Sequence, residues 1–550
     1  MIALSRLHTF RAALLLVMAL LVVLTACGAP AAPGEGGTGG NAQKTLVVAV
    51  PGDIDTFDPA FTAGSITSQT TIQNTYDQLE QYKLIEQTAP DGYKYWIADT
   101  GAIEPMLAAS REVSSDGKTV TWKLRDNATY HDGKAMTASD IVGGYKRLYE
   151  VGGSASFLLA MGGATTPDAF KAVDDKTITM QLDAANELVF MNNVMHNTSS
   201  ISPEHIEKVA SPNDPLGKQE LKKNLAPGNG PFVFEEYKPG DRVVLSAYAG
   251  YYAGKPKLDR VIMKIVPDAT QRLLLLKSGD VDIVHEPPVK ELDALKQDPN
   301  IRVLSIPTTR SVHLQLNHEI APFDNQQVRQ AVAYATPYDS IVKDVYKNYA
   351  TRSMSLVTKG MPGHDPSFWT YNTDLDKAKE ALAQAGFAGG AGLPPIKLSV
   401  RIGNEEDERT AVLVANNLKQ IGMNVTIEKI AFAAFNEQQQ AGKLQFFVDN
   451  WISWVNDPFY HLSWLARSDS PANYGRFKNA RVDDLIKQYT LSTDQDARLA
   501  AVKEIQQIMA EDVSHVYLVQ PNWNVPMRKN IQGYAYLNDE LPRFFYMDKQ

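Results

Sequence analysis

The chain of 550 residues has a single cysteine, Cys27. One thiol builds no disulfide framework and no thiolate zinc cluster. The short signatures of catalysis are missing too: there is no Gly-x-Ser-x-Gly turn, no His-Glu-x-x-His helix and no Walker loop ending in Gly-Lys-Ser/Thr. Positive charge is in deficit, with 63 Asp and Glu against 54 Lys and Arg and a formal net charge of −9. An acidic exterior without a basic run argues against nucleic acid as a partner. No internal repeat is visible, and no apolar run after the first 24 residues is long enough to cross a bilayer. His131-Asp132-Gly133 reads as a β-turn rather than an acid/base pair. GNGPF, from Gly228, reads as a tight turn rather than a phosphate loop. His313 and His318 have no ligand cluster around them in the sequence, so they are expected at the surface or in a core. Catalytic residues, metals and cofactors are therefore not expected.

What is present begins with a leader. Arg6 and Arg11 precede an apolar run from Ala12 to Leu24, which ends in Leu24-Thr25-Ala26-Cys27. Its length and polarity are those of a secretory signal peptide. The small residues before Cys27 resemble a bacterial lipobox, in which the cysteine becomes the lipidated first residue of the mature chain; the alternative is an ordinary signal peptide with an incidental cysteine. Residues 1–26 are thus expected to be a lipoprotein signal peptide. Residues 27–44, rich in Gly, Pro and Ala, should be a flexible tether. A lipid on Cys27 would hold an extracytoplasmic protein on a membrane without spanning it.

Beyond the tether the length suggests two or three domains. Strand and helix patterns alternate. TVTWKLR (119–125), KTITMQL (176–182) and NVTIEKI (424–430) carry a strand's period of two. Helices are expected after Asp374 and Asp268, which are good N-caps, with Gly386 and Gly279 as stops. A further helix near 494–513 places Leu499, Val502, Ile505 and Ile508 at helical spacing. This is an α/β chain.

Three of the seven tryptophans fall within WISWVNDPFYHLSW, Trp451 to Trp464, around Asp457-Pro458. The Asn-Asp-Pro break does not suit a core strand, and the indoles do not suit a plain loop. Trp451 and Trp454 fit either the wall of a pocket or a core. Trp464 continues helically and is expected in a core. Asp457 can cap a helix whose first residue is Pro458.

Several blocks taken together resemble the extracytoplasmic solute-binding proteins of family 5, the dipeptide, oligopeptide and nickel receptors of ABC importers. They are IEPMLAAS (103–110), the run from Ser114 to Leu148, GNGPFVFEEYKPGDRVVL (228–245), the run from Tyr251 to Ile283, and LQLNHEIAPFDNQQVRQAVAYA (314–335). The resemblance implies a two-lobed α/β fold of the periplasmic-binding-protein type II kind with an additional family-specific α/β domain. The first lobe would be Thr45–Tyr93, Leu225–Thr308 and Val519–Gln550. The extra domain would be Lys94–Asn224 and the second lobe Thr309–Leu518. A small oligomeric solute would bind between the lobes of a monomer, and closure would be a hinge motion. The partners would be ABC permease subunits.

The resemblance also nominates site residues. Ala63, Gly64 and Ser65 match a loop that approaches the ligand in relatives. Trp523 and Asn524 could face the cleft. Arg401 is a candidate partner for a ligand carboxylate, or else a surface ion pair. Peptide-binding members keep an Asp three positions before the Asp that corresponds to Asp457, where it meets the peptide's ammonium; here that position is Trp454. Either another acid, Asp449 or Asp457, takes that role, or the solute lacks a free amine. An indole platform would suit an oligosaccharide. A signalling receptor and a lipid-anchored hydrolase are the readings from other functional classes.

Overall fold

The structure, a computed structural model, describes residues 43–61 and 65–550. The expected signal peptide, Cys27, most of the tether, Ala63 and Gly64 lie outside the described residues. Gln43–Gln550 forms one compact unit.

Its frame is one strand, His515–Arg528, which serves two lobes. The first half, His515 to Val519, pairs antiparallel with Ser311–Leu316. The second half, Asn522 to Arg528, pairs antiparallel with Ile301–Pro307. Fourteen residues of strand reach about 46 Å at roughly 3.3 Å each, enough to run through both sheets. The expected boundary at 518/519 falls inside this strand.

In the first lobe Thr45–Val50 lies between two parallel neighbours, Arg260–Ile265 and Ile283–Val284. A hairpin of Phe232–Lys238 and Arg242–Ala247 extends the sheet. Arg260–Ile265 turns Val261, Met263 and Ile265 inward, the alternation of a half-buried strand. They pack with Leu46, Val48 and Trp523. In the second lobe Ile396–Arg401 and Val425–Ile430 are parallel, with the helix Glu405–Gln420 between them in sequence. Phe446–Trp451 lies against both Ser311–Leu316 and Ile396–Arg401. Leu314, Phe446 and Val448 lead into that lobe's core. A four-stranded antiparallel sheet built from Ala108–Val113, Thr119–Leu124, Thr177–Gln181 and Phe170–Ala172 has its own core around Val120, Trp122 and Tyr145. The hairpin of Glu80–Thr88 and Lys94–Pro105 straddles the expected 93/94 boundary, and Ala535–Tyr536 from the end of the chain adds to it.

Asp268 and Asp374 act as the caps read in the sequence, and Asp494 caps the helix Gln495–Asp512 in the same way. Asp268, Asp374 and Asp494 accept from the backbone N–H three residues on, and Gly279 and Gly386 take left-handed φ values of 87°. GNGPF is a turn whose glycines let two backbones touch: a Cβ on Gly228 would lie 1.9 Å from the Thr75 carbonyl oxygen. Among the described residues no helix is long and apolar enough to cross a membrane.

Candidate functional site

The tryptophan-rich stretch lies where the second lobe meets the first half of the chain. The strand Phe446–Trp451 ends there, and Asp457 starts the helix Pro458–Leu465. Proline suits the first helical position because its missing N–H would be unpartnered there in any case. Asp457 Oδ1 accepts from the Phe459 N–H at 2.8 Å, and Oδ2 accepts from Arg498 Nη2 at 2.5 Å. Burial raises its carboxyl above the usual range, opposed by Arg498 and the cap. Both oxygens are thereby committed.

Trp464 is 7% exposed and packs at 4.2 Å on Phe157. Trp451 lies 5.8 Å from Trp464. Trp454 stands edge-on to His196 at 5.1 Å, and the Asn456 amide donates to Thr100 Oγ1 at 3.0 Å. The stretch is thus a contact surface between lobe two and residues of the 94–224 segment. Tyr82, Leu158, Val194 and Met195 join the apolar cluster of the second lobe along the same seam.

Around His196 the seam is polar. Asn193, His196 and Asn197 are fully buried, yet none of their side-chain nitrogens and oxygens has a hydrogen-bond partner. Unpaired buried polar groups are costly, and a folded chain retains them where something else satisfies them. Burial lowers the His196 pKa to about 4, so the ring is neutral at pH 7.

At the hinge end, Arg310 follows directly on the junction between Ile301–Pro307 and Ser311–Leu316. Its Nε donates to Glu540 Oε2 at 3.1 Å and its Nη1 to Asn450 Oδ1 at 3.0 Å. Burial raises the Glu540 carboxyl, and Arg310 opposes that rise. Nearby, the Val289 N–H donates to Glu406 at 3.1 Å, and Lys290 pairs with Glu405 at 2.8 Å. The Thr309 hydroxyl donates to the Ser453 carbonyl. Arg310–Glu540, Val289–Glu406 and Lys290–Glu405 join the two lobes, while Arg310–Asn450 and Thr309–Ser453 hold the crossing to the second lobe.

Arg401 pairs with Asp449 at 2.9 Å and lies over Phe435. It is a buried pair rather than a surface one. Asp449 also accepts from Gln315 at 3.2 Å and Gln439 at 2.8 Å, so it too is occupied. Arg401 Nε and Nη1 have no partner. Asp407 belongs to the same electrostatic group; burial lifts its carboxyl to about 7, against the pull of Arg401.

The first-lobe nominees sit in structural roles. Ser65 caps the helix Ile66–Thr75, accepting from the Thr67 and Ser68 N–H groups and donating to the Asp53 carbonyl. Trp523 Nε1 donates to the Tyr534 hydroxyl at 2.9 Å inside the first lobe's core. Asn524 accepts from Ser305 Oγ and donates to the Asn522 carbonyl. Trp451, Trp454 and Asp457 thus share one stretch of the seam, and Arg401 pairs with Asp449 on the strand that leads into it; the sequence did not nominate Arg310, Glu540, Asp407, Asn193, His196 or Asn197. Among the described residues no group of three His, Cys, Asp or Glu is placed to hold a metal ion.

Comparison with known proteins gives this geometry its relatives. The sequence profile described as bacterial extracellular solute-binding proteins, family 5 Middle, matches residues 102–473. The probable D,D-dipeptide-binding periplasmic protein of Escherichia coli is 29% identical over 511 residues, 92% of this chain and 93% of that protein. Heme-binding protein A of Haemophilus influenzae is 27% identical, covering 87% of each chain. Among solved structures, the ABC transporter-associated periplasmic binding protein DppA from Helicobacter pylori, in complex with the peptide STSA, superposes with a TM-score of 0.79 at 26% identity. That match covers 92% of this chain and 98% of the other. The fold is accordingly the type II periplasmic-binding-protein fold with an added α/β domain.

Proposed function

The chain belongs to the bacterial extracellular solute-binding proteins of family 5, and on that premise we propose that it is a lipid-anchored receptor which closes on a peptide-like solute and delivers it to an ABC permease. The family consists of transport receptors rather than enzymes, and its relatives are periplasmic. Relatives named for a D,D-dipeptide, for heme and for glutathione have the family's sequence in common, so cargo is chosen by side chains in the seam.

The observation that carries the proposal is the shared strand His515–Arg528 with a polar seam on either side of it. Two lobes joined at one edge can swing, and a solute that contacts both selects the closed state. The unpartnered groups of Asn193, His196 and Asn197 can each donate to or accept from a peptide's amides. Trp454 offers an indole face beside them. A micromolar dissociation constant corresponds to about −8 kcal/mol, which a few such contacts provide. Anchoring would come through a lipid on Cys27, ahead of the tether.

Thermal shift and native mass spectrometry against di- to pentapeptides and against oligosaccharides test the reading. Peptides are expected to raise the melting temperature and to appear as one-to-one complexes. Stabilisation by sugars alone would replace the peptide reading with a sugar receptor of the same fold, and release of cleaved solute would replace it with a hydrolase.

A further inference from the structure

A cavity of about 40 Å³ lies between the first lobe and the 94–224 segment, at the C-terminal end of the helix Ile66–Thr75. Gln73, Asp77, Tyr82, Val194 and Arg543 are among the residues around it. One water needs roughly 10–15 Å³, so the space suits a single ion with a water or two rather than a peptide-sized solute. Asp77, Gln73 and Tyr82 are 1%, 5% and 2% exposed. Each carries an oxygen with no hydrogen-bond partner: Asp77 Oδ1, Gln73 Oε1 and the Tyr82 hydroxyl. The Asp77 carboxyl is held by its other oxygen, Oδ2, which accepts from the Tyr251 hydroxyl at 2.8 Å and the Tyr252 hydroxyl at 2.7 Å.

The charge at this cavity is negative. Arg543 is spent on Asp539: Nη1 donates to Oδ1 at 2.9 Å and Nη2 to Oδ2 at 2.5 Å. Arg125 lies over the Tyr252 ring at 5.2 Å and forms no ion pair with Asp77. Tyr251, Tyr252 and Tyr546, the other titratable groups facing Asp77, are raised by burial and stay neutral at pH 7. Gln73 and Asp77 are four residues apart at the end of a helix, where the peptide dipoles add negative potential. Oxygen donors are the set that a hard cation takes, and a single carboxylate balances one positive charge.

We propose that the cavity binds a monovalent alkali cation, sodium or potassium, through Asp77 Oδ1, Gln73 Oε1 and the Tyr82 hydroxyl oxygen. The ion satisfies three buried atoms that the chain itself leaves unpaired, and water completes its shell. Tyr82 and Val194 also belong to the apolar cluster of the second lobe, so the ion steadies a wall on which the lobes meet. This site is separate from the solute site and stands whichever cargo the seam takes. Burial holds the Asp77 carboxyl at about 7. A proton and a cation compete for that carboxylate, so the ion should bind about tenfold more tightly one unit above pH 7 than one unit below it.

Thermal melting of the full chain in sodium, potassium or choline chloride at equal ionic strength decides it. Choline is too large for the cavity. Sodium or potassium should raise the melting temperature along a saturating curve, with half the shift reached at lower concentration above pH 7 than below it. Choline should not. Asp77→Asn keeps an oxygen for both tyrosine hydroxyls and removes the charge, so it should melt alike in all three salts. Gln73→Met keeps the length of the side chain and removes one oxygen, so it should need roughly tenfold more cation for half the shift. Should Asp77→Asn fail to fold, Gln73→Met and the pH comparison on the parent decide: a shift that neither one moves overturns the inference. Equal melting of the parent in all three salts, or a full sodium or potassium shift retained by Asp77→Asn, would also overturn it and leave the cavity to water.

Discussion

Arg310 and Glu540, 230 residues apart in sequence, form an ion pair at the junction of the two lobes, with Nε donating to Oε2 at 3.1 Å. Glu540 is almost fully enclosed, and Arg310 is about a fifth exposed. Glu540 also holds a left-handed φ of 60°, a conformation that L-residues adopt rarely and that its surroundings must enforce. Breaking a buried pair from one side leaves the other charge stranded. Arg310 sits at the crossing between the lobes, so the pair ties the end of the chain to that crossing.

Glu540→Gln should therefore lower unfolding stability by about 2–4 kcal/mol and loosen the crossing. Urea denaturation measures the first, and small-angle scattering of the ligand-free protein measures the second. A variant with unchanged scattering would restrict the pair's role to stability.

Asp457 calls for the opposite expectation about binding. Its carboxylate is divided between the helix cap and Arg498, so Asp457→Asn keeps an N-cap of comparable quality but strands a buried guanidinium. Stability should fall by about 3 kcal/mol, while the folded protein binds its solute with unchanged affinity. Calorimetric affinity measured well below the melting temperature checks this; a selective loss of binding would return Asp457 to the list of ligand contacts.

Much of the frame was legible in the sequence. TVTWKLR and KTITMQL became strands because one face of each is buried and the other is not, and Asp268 and Asp374 cap helices because a short acceptor at that position has N–H groups to meet. The seam was less legible, because its pairs are made by the fold rather than by local pattern. Asp407 lies in the run Glu405-Glu406-Asp407-Glu408, which reads as a solvated helix start until burial singles it out. Nothing in the sequence singles out Asn193, His196 or Asn197, whose unpartnered side chains show only once the fold buries them. Ser65 was nominated as part of a loop matched to relatives; its hydroxyl caps the helix Ile66–Thr75, a local role that the loop pattern did not carry.

Trp454, which the sequence leaves open between pocket wall and core, stands on the seam. It stands edge-on to His196 across the seam, a pairing worth about 0.5–1.5 kcal/mol. Trp454→Ala should cost the empty protein little beyond that amount but weaken solute binding by roughly tenfold or more. His196→Phe keeps a ring edge for Trp454 and removes both imidazole nitrogens, so it should preserve stability and lower affinity. Equal losses in stability and affinity for both variants would make the pair structural.

The buried histidines set the acid limit. Burial holds His131, His196, His285, His313, His318 and His461 at about 4, below the usual 6.5. Between about 4 and 6.5 the unfolded chain therefore binds protons that the folded chain refuses, and stability falls as pH falls. Asp77 and Asp407, raised by burial to about 7, work the other way, as do Glu80, Glu406, Asp457 and Glu540, which burial also raises: the folded chain keeps a proton that the unfolded chain releases, and they favour folding as pH falls toward 4. Burial lowers His205 and His515 as well, so the histidines outnumber the raised carboxyls and the net direction is acid destabilisation between pH 6.5 and 4. His313→Gln removes one of these histidines while leaving an amide beside Gln315. It should flatten the slope of unfolding free energy against pH by about one proton, close to 1.4 kcal/mol per pH unit. Urea titrations at half-unit steps of pH read that slope directly, and a parallel curve for the variant would show that His313 is protonated in the folded chain as readily as in the unfolded one.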